Sequence, residues 1–302
     1  MDYLMSIVEK EMSTKVKDVY PIGSGATASC YYVELFEYPF NIIVKTSPHY
    51  ELMLEEMKIN NYIRERVHFK IPETYFITKN DDMSYLGMEY IEGISGRVLR
   101  LNQVNDKQHL ADNILKCFID MQSVTNDKYG SFDNPIYSSW NEYYYDFYSK
   151  IYNFALQKHK NCELDKKTIK ALNYIKINFD EIFSNVGNKA VLSHGDFWTP
   201  NMIFDIEKSE IAGVVDPFKT RFVEPEYELF CLTLGLGQKL KLYKKYKKQF
   251  NVSKYCDLKV ELYALCNEID WWMNLGEINT IGYIKMRARK LIRQMKKHKL
   301  KR

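Results

Sequence analysis

The 302-residue sequence predicts an α+β chain in which a small β-rich lobe precedes a larger helical one. Three observations predict it. The first ninety residues read mostly as strands punctuated by Gly and Pro; the residues after them switch to a helical repeat; and one strand–loop–strand segment, LSHGDFWTPNMIFD from Leu192 to Asp205, interrupts the helices. The length suffices for two lobes, and no internal repeat or low-complexity linker divides the chain otherwise. The boundary falls at Gly93, giving lobes 1–92 and 93–302.

Taken in order, VYPIGSGATASCYYVELF is a β run broken by two glycines, and FNIIVKTS is a short strand reaching Val44 and Lys45. ELMLEEMKINNYIRERV follows as a helix, with Leu52, Leu54, Ile59 and Ile63 supplying its apolar face. IPETYFI and SYLGMEYIEG are two more strands, and the Gly93 to Gly96 region ends the series. QHLADNILKCFIDMQSV, NEYYYDFYSKIYNFALQKH and DKKTIKALNYIKINFDEIF then read as three helices. More helices follow the Leu192–Asp205 segment to the end of the chain.

Composition excludes several classes. Six cysteines, Cys30, Cys117, Cys162, Cys231, Cys256 and Cys266, stand apart without a CxxC or Cys/His cluster, so neither a zinc site nor a disulfide framework is indicated. No apolar run approaches the roughly 20 residues of a membrane span, and the N-terminus lacks the pattern of a signal peptide. A cytoplasmic location and no stable membrane insertion are expected. The net charge of +4 is uneven: ten Lys and Arg with no acid lie between Lys285 and Arg302, leaving −6 on the rest. KLKLYKKYKK, Lys239 to Lys248, is a second basic run. The tail reads as a terminal helix with one solvated face, buried through Met286, Leu291, Ile292 and Met295, rather than as a nucleic-acid site.

Phosphoryl transfer from ATP is mainly positioning and charge stabilisation, and the chain offers each part in order. A backbone loop must cover the phosphates: GSGATAS, with Gly23, Ser24, Gly25 and Thr27, lets amides approach an anion, although a GxG before a strand also makes a plain hairpin. A cation must meet the phosphates. A Lys on an alternating strand ordinarily faces water, but Lys45 is followed by a helix carrying Glu51, Glu55 and Glu56. Glu56 is the expected partner, because Leu52, Ile59 and Ile63 share its side at helical spacing, and Glu55 is the close competitor. Downstream come His194, Gly195, Asp196 and Asn201, then IAGVVD ending in Asp216.

HGDFWTPN followed by VVDP resembles the aminoglycoside phosphotransferase and choline-kinase-like superfamily, the small-molecule relatives of protein kinases. The resemblance implies a bilobal protein-kinase-like fold, with Asp196 as the catalytic base and Asn201 and Asp216 as ligands of magnesium. Both supply hard oxygen donors that suit that ion. It extends in blocks over residues 20 to 235. LGMEYIEG is similar to the strand joining the lobes, which implies adenine contacts around Glu89, Tyr90 and Ile91. EPEYELF matches a structural segment in which Glu228 would support a helix start. YGSFDNPIYSSWNEYY resembles the turn into the substrate-side helices.

The acceptor is less sharply marked. Protein kinases carry Lys two residues after the catalytic Asp, where this chain has Trp198; that favours a small-molecule acceptor. Trp198 and Pro217 resemble the fructosamine kinase branch, although the Trp is shared with the ecdysteroid-kinase-like branch. Mixed charge between Tyr129 and Lys189, together with Lys219 and Arg221, argues against a polycationic drug, while Glu268 and Asp270 are placed acids. Tyr143, Tyr144, Tyr145, Tyr148, Trp140, Trp271 and Trp272 are candidates to stack on a sugar, with at least one Tyr in the core. The expected activity is ATP-dependent, magnesium-assisted phosphorylation of a small polyhydroxylated molecule: an aminoglycoside, sugar or sugar-amine. A protein kinase-like enzyme and a non-catalytic nucleotide-binding module are the competing readings. No nucleic-acid partner and a monomer or weak dimer are expected, and ATP versus GTP stays open.

Overall fold

A computed structural model describes residues 2–25, 27–187, 189–276 and 281–300. Ala26 of the glycine loop, Asn188, and Lys301 and Arg302 of the basic tail lie outside the described residues. The fold is α+β, as expected. The chain forms two compact units, Met1–Met121 with Thr199–Phe218, and Gln122–Trp198 with Lys219–Arg302.

The first unit is built on an antiparallel sheet of β1 (Val16–Ser24), β2 (Ser29–Leu35), β3 (Asn41–Ser47), β4 (Thr74–Asn80) and β5 (Met83–Glu89), in the order β1-β2-β3-β5-β4. Strand alternation sorts its side chains. Val33, Ile42, Val44 and Tyr85 face a core completed by Leu4, Ile7 and Val8 of helix α1 (Asp2–Met12). This helix was not expected from the sequence, although Leu4, Ile7 and Val8 carry helical spacing. On the other face Leu86 and Met88 pack with Met53 and the partly buried Ile43 and Met57, so helix α2 (Tyr50–Arg64) lies on that side. Lys45 alternates with Val44 and pairs in register with Leu86, which turns it toward α2. The apolar face of α2 differs from the expected one. Met53, Ile59 and Ile63 are buried, while Leu52 is exposed, because the helix is rotated to bring Met53 onto the sheet.

A smaller antiparallel sheet of Ile94–Ser95, Met202–Asp205 and Glu210–Val214 completes this unit. Gly96 has no substitute here: a Cβ would lie 1.8 Å from the Thr199 carbonyl oxygen. That close approach, with Gly96 N–H donating to the Met202 carbonyl at 2.9 Å, seats the turn Thr199–Asn201.

The second unit has a five-stranded sheet in the order Thr125–Asn126, Ala190–Ser193, Arg221–Val223, Tyr129–Ser131, Pro135–Tyr137. Helices Trp140–Lys160, Lys166–Ile177, Cys256–Leu275 and Ile281–Lys297 form its bulk. The helix expected over 165–183 is two, because it breaks at Asn178, whose side-chain amide donates to the Tyr174 carbonyl. An aromatic core joins Trp140, Tyr144, Phe179, Phe183, Tyr227 and Tyr263, and the Trp140 indole N–H donates to the Tyr263 hydroxyl at 3.1 Å. This corrects the stacking assignments: Trp140, Tyr144, Tyr148 and Trp272 are buried in packing, and only Tyr143, Tyr145 and Trp271 of that set retain exposed surface.

The buried face of the basic tail differs in part from the expected one. Ile284, Arg287, Ala288, Leu291 and Met295 are buried, while Met286 is exposed and Ile292 only partly covered. Arg287 pairs with Glu261 at 2.8 Å and donates to the Tyr283 hydroxyl. Truncation after Ile284 strips Arg287, Ala288, Leu291 and Met295 from the core. Each large buried side chain is worth about 2–5 kcal/mol, against a total stability of roughly 5–15 kcal/mol. The truncated chain is therefore expected to lose cooperative thermal unfolding; a melting curve equal to that of the full chain contradicts this packing.

Candidate active site

The first unit brings three of the sequence-selected residues into contact. Lys45 Nζ donates to carboxylate oxygens of both Glu56 and Asp216. Glu55 is exposed and takes no part. Burial on its own would lower the Lys45 pKa, but Asp216 and Glu56 overcome it and hold the ammonium above its ordinary value. Burial pushes the Glu56 carboxyl up, against the pull of Lys45.

Asp216 reaches Lys45 from the end of the Glu210–Val214 strand with φ of 59°, a left-handed conformation unusual for a residue other than Gly. The same strand end is tied to Asn201, whose carbonyl accepts from Val215 N–H at 2.9 Å. Asn201 is buried and Asp216 half-exposed. Arg97 reaches to 4.0 Å from the second Asp216 oxygen, a neighbour that no sequence motif marks. The donor chemistry fits magnesium, which accepts one amide and one carboxylate oxygen and keeps its remaining positions for water and phosphate. Among the described residues no cluster of three or more His, Cys, Asp or Glu offers an all-protein metal cage.

The other nucleotide-side candidates also lie in this unit. Gly23 and Ser24 end β1, and the turn after them closes through Gly25 N–H to the Ala28 carbonyl at 2.7 Å. The Thr27 carbonyl accepts from Ser47 Oγ at 2.6 Å, which ties the glycine loop to the Lys45 strand. Glu89 ends β5 and pairs with Lys70 at 2.6 Å; Tyr90 packs edge-on to Tyr32 with centroids 5.0 Å apart; Ile91 is buried.

Asp196 belongs to the second unit, on a loop whose geometry is set by one acid. The buried Glu228 carboxylate accepts from the backbone N–H of His194 (3.0 Å), Gly195 (2.6 Å) and Phe197 (3.3 Å). Gly195 takes φ of 86°, so the loop can fold over that carboxylate. Thr220 Oγ1 donates to the His194 carbonyl at 3.0 Å from the opposite side. Glu228 is thus the loop's anchor as well as a helix-start residue; its acid in EPEYELF was the available signal, but the backbone donors it serves lie more than thirty residues away. Burial pushes Glu228 up to about 7, against the pull of its backbone donors. Glu268 is also pushed up to about 7, first by burial and further by the charge of Asp196. Lys219 is ion-paired with Asp270 at 2.5 Å.

A family model described as fructosamine kinase matches residues 4–298. No curated protein matches the sequence. Among solved structures, aminoglycoside phosphotransferase APH(4)-Ia is 13% identical with a TM-score of 0.74, covering 97% of this chain and 98% of its own. A candidate fructosamine-3-kinase from Haemophilus somnus 129PT is 13% identical with a TM-score of 0.70, covering 96% of each chain. A point mutant of aminoglycoside 2'-phosphotransferase-IIIa is 13% identical with a TM-score of 0.66, covering 98% of this chain and 97% of its own. These likenesses concern the fold, which is the kinase-like fold of the aminoglycoside phosphotransferases.

The Glu228 anchor has a pH signature. A carboxyl raised from 4.5 to about 7 on folding contributes stability that is fully present below pH 4.5 and is lost as pH rises through about 7. The loss is on the order of 3 kcal/mol at 1.36 kcal/mol per unit. Glu228→Gln is expected to be less stable overall, because its amide N–H₂ meets backbone donors, and to lack that slope between pH 4.5 and 7. Chemical denaturation across this range checks it, and equal slopes for both proteins contradict it.

Proposed function

The chain belongs to the fructosamine kinase family and is a small-molecule kinase, and from that premise we propose that it transfers the γ-phosphoryl group of ATP to a hydroxyl of a small polyhydroxylated acceptor, a sugar-amine foremost. The observation that carries the reading is Lys45 held between Glu56 and Asp216, a paired cation preset to meet phosphate oxygens.

In this reading the backbone of Gly23, Ser24, Gly25 and Thr27 covers the phosphates, and Lys45 meets their oxygens. Glu56 keeps Lys45 oriented, and Glu89, Tyr90 and Ile91 line the base. Asn201 and Asp216 would hold magnesium, which when bound neutralises phosphate charge. Asp196 accepts the proton of the acceptor hydroxyl as its oxygen bonds to the γ-phosphorus; the bond to the bridging oxygen breaks and ADP leaves. No covalent enzyme intermediate is required. The nucleotide-binding lobe spans 1–92 and the catalytic and acceptor lobe 93–302.

The neighbours support this reading by their ligands: APH(4)-Ia was solved with AMP-PNP and hygromycin B, and the 2'-phosphotransferase with GDP. An aminoglycoside acceptor, with a role in antibiotic resistance, is the second reading; Lys219 and Arg221 after Asp216 disfavour a polycation. No helix among the described residues is long and apolar enough to cross a membrane. A cytoplasmic location and a monomer or weak dimer complete the proposal.

A coupled ADP-release screen over ketoamines, sugars, choline analogues and aminoglycosides tests the acceptor class, and turnover with peptides alone contradicts it. Asp196→Asn is expected to keep nucleotide binding and lose turnover by a hundredfold or more, roughly the scale of losing a general base. Asp216→Ala is expected to abolish magnesium-dependent nucleotide binding. The reverse pattern in calorimetry and turnover contradicts the assigned roles.

A further inference from the structure

Among the described residues of the second unit, several cations withdrawn from water meet acids. Lys259 lies between Glu224 (2.7 Å) and Glu226 (2.8 Å), Arg287 meets Glu261, and Lys219 meets Asp270. Arg221 is half-buried, yet no carboxylate forms an ion pair with it among the described residues. Its Nε donates to the Lys219 carbonyl at 2.9 Å and its Nη1 to the Tyr143 hydroxyl at 3.1 Å. The Phe147 ring lies 5.7 Å from the guanidinium carbon, and Nη2 has no hydrogen-bond partner among the described residues. Asp270 is close enough to act on this charge, but its carboxylate is engaged by Lys219 and by the Asn274 amide.

Position makes the departure informative. Arg221 is the cross-strand partner of Ser193, three residues before Asp196, and Ser193 Oγ donates to the Arg221 carbonyl at 3.0 Å. With Thr220 bonded to the His194 carbonyl, this strand is fastened to the loop that carries Asp196. A guanidinium withdrawn from water without an acid is costly, and its planar fork matches carboxylate and phosphate oxygens. Tyr143, half-buried beside it, packs against Tyr137 and Trp140 and keeps exposed surface.

We propose that Arg221 reads an anionic group on the acceptor, so that the small hydroxylated substrate carries a carboxylate or a phosphate docked on the free Nη2 edge. This rests on the reading of the chain as a kinase of small hydroxylated acceptors. The reaction is unchanged; the anion positions the acceptor and takes no part in bond making.

Matched ketoamines test it: fructosyl-glycine, fructosyl-glycinamide, and the fructosamine of aminomethylphosphonate. Each is titrated calorimetrically into the wild type and Arg221→Gln, and turnover is followed separately. The acid or the phosphonate is expected to bind the wild type at least tenfold more tightly than the amide, about 1.4 kcal/mol. The tighter of the two names the group. In Arg221→Gln the ratio is expected to fall to within about twofold, with KM rather than kcat carrying the change. Should that variant not fold, Arg221→Met, which keeps an apolar stem against Phe147, takes its place. A wild-type ratio near one, or a ratio the substitution leaves intact, overturns the proposal. If the ratio appears but no ketoamine is phosphorylated, the anion site stands and the acceptor reading falls. If ketoamines are phosphorylated without the ratio, the acceptor reading stands and the anion site falls.

Discussion

Lys45 is withdrawn from water and kept charged by two carboxylates, and the arrangement of the first unit follows from that pairing. A buried ammonium deprived of its partners costs several kcal/mol, so Glu56 and Asp216 must both reach it. Glu56 does so because α2 lays Met53, Ile59 and Ile63 on the structure beneath it and presents the acid next to the Lys45 face of β3. Asp216 does so because a short hairpin, seated on Gly96, ends in a left-handed residue. Elements distant in sequence are held in place by one cation.

The second unit obeys the same constraint with a different solution. Glu228 is a buried acid whose carboxyl oxygens accept from three backbone N–H groups rather than pairing with a cation. Aligned amides can hold a carboxylate, and the exchange works both ways: the acid keeps its hydrogen bonds only while the loop keeps its shape. The loop bearing Asp196 is thereby fixed by main-chain geometry. Against this background of paired charge, Arg221 forms no ion pair among the described residues, and its hydrogen bonds go to the Lys219 carbonyl and the Tyr143 hydroxyl.

The sequence carried the fold class and the helix–strand order because alternation and helical periodicity are local. It carried the Lys45–Glu56 pairing as well, since strand alternation and the spacing of Glu56 with Ile59 and Ile63 are both written along the chain. Three things were not legible. Helix α1 has its apolar residues within a short polar N-terminus, and only the sheet it covers gives them meaning. The aromatic run around Tyr143 to Tyr148 does not say which rings are core; the neighbours Phe179, Phe183, Tyr227 and Tyr263, contributed by other segments, decide it. The buried face of the basic tail was legible only in part, because Arg287 reads as one more surface charge until Glu261 and Tyr283 are seen around it. Long-range partners are what a single chain of letters withholds.

The most direct measurement is phosphorus NMR of the intact protein with ATP, magnesium and a ketoamine such as fructosyl-glycine. Transfer to a hydroxyl requires a new phosphomonoester resonance that grows in step with ADP and vanishes when either the ketoamine is omitted or Asp196→Asn replaces the wild type. ADP formed only alongside inorganic phosphate, or a spectrum unchanged across ketoamines, sugars and aminoglycosides alike, contradicts a small-molecule kinase.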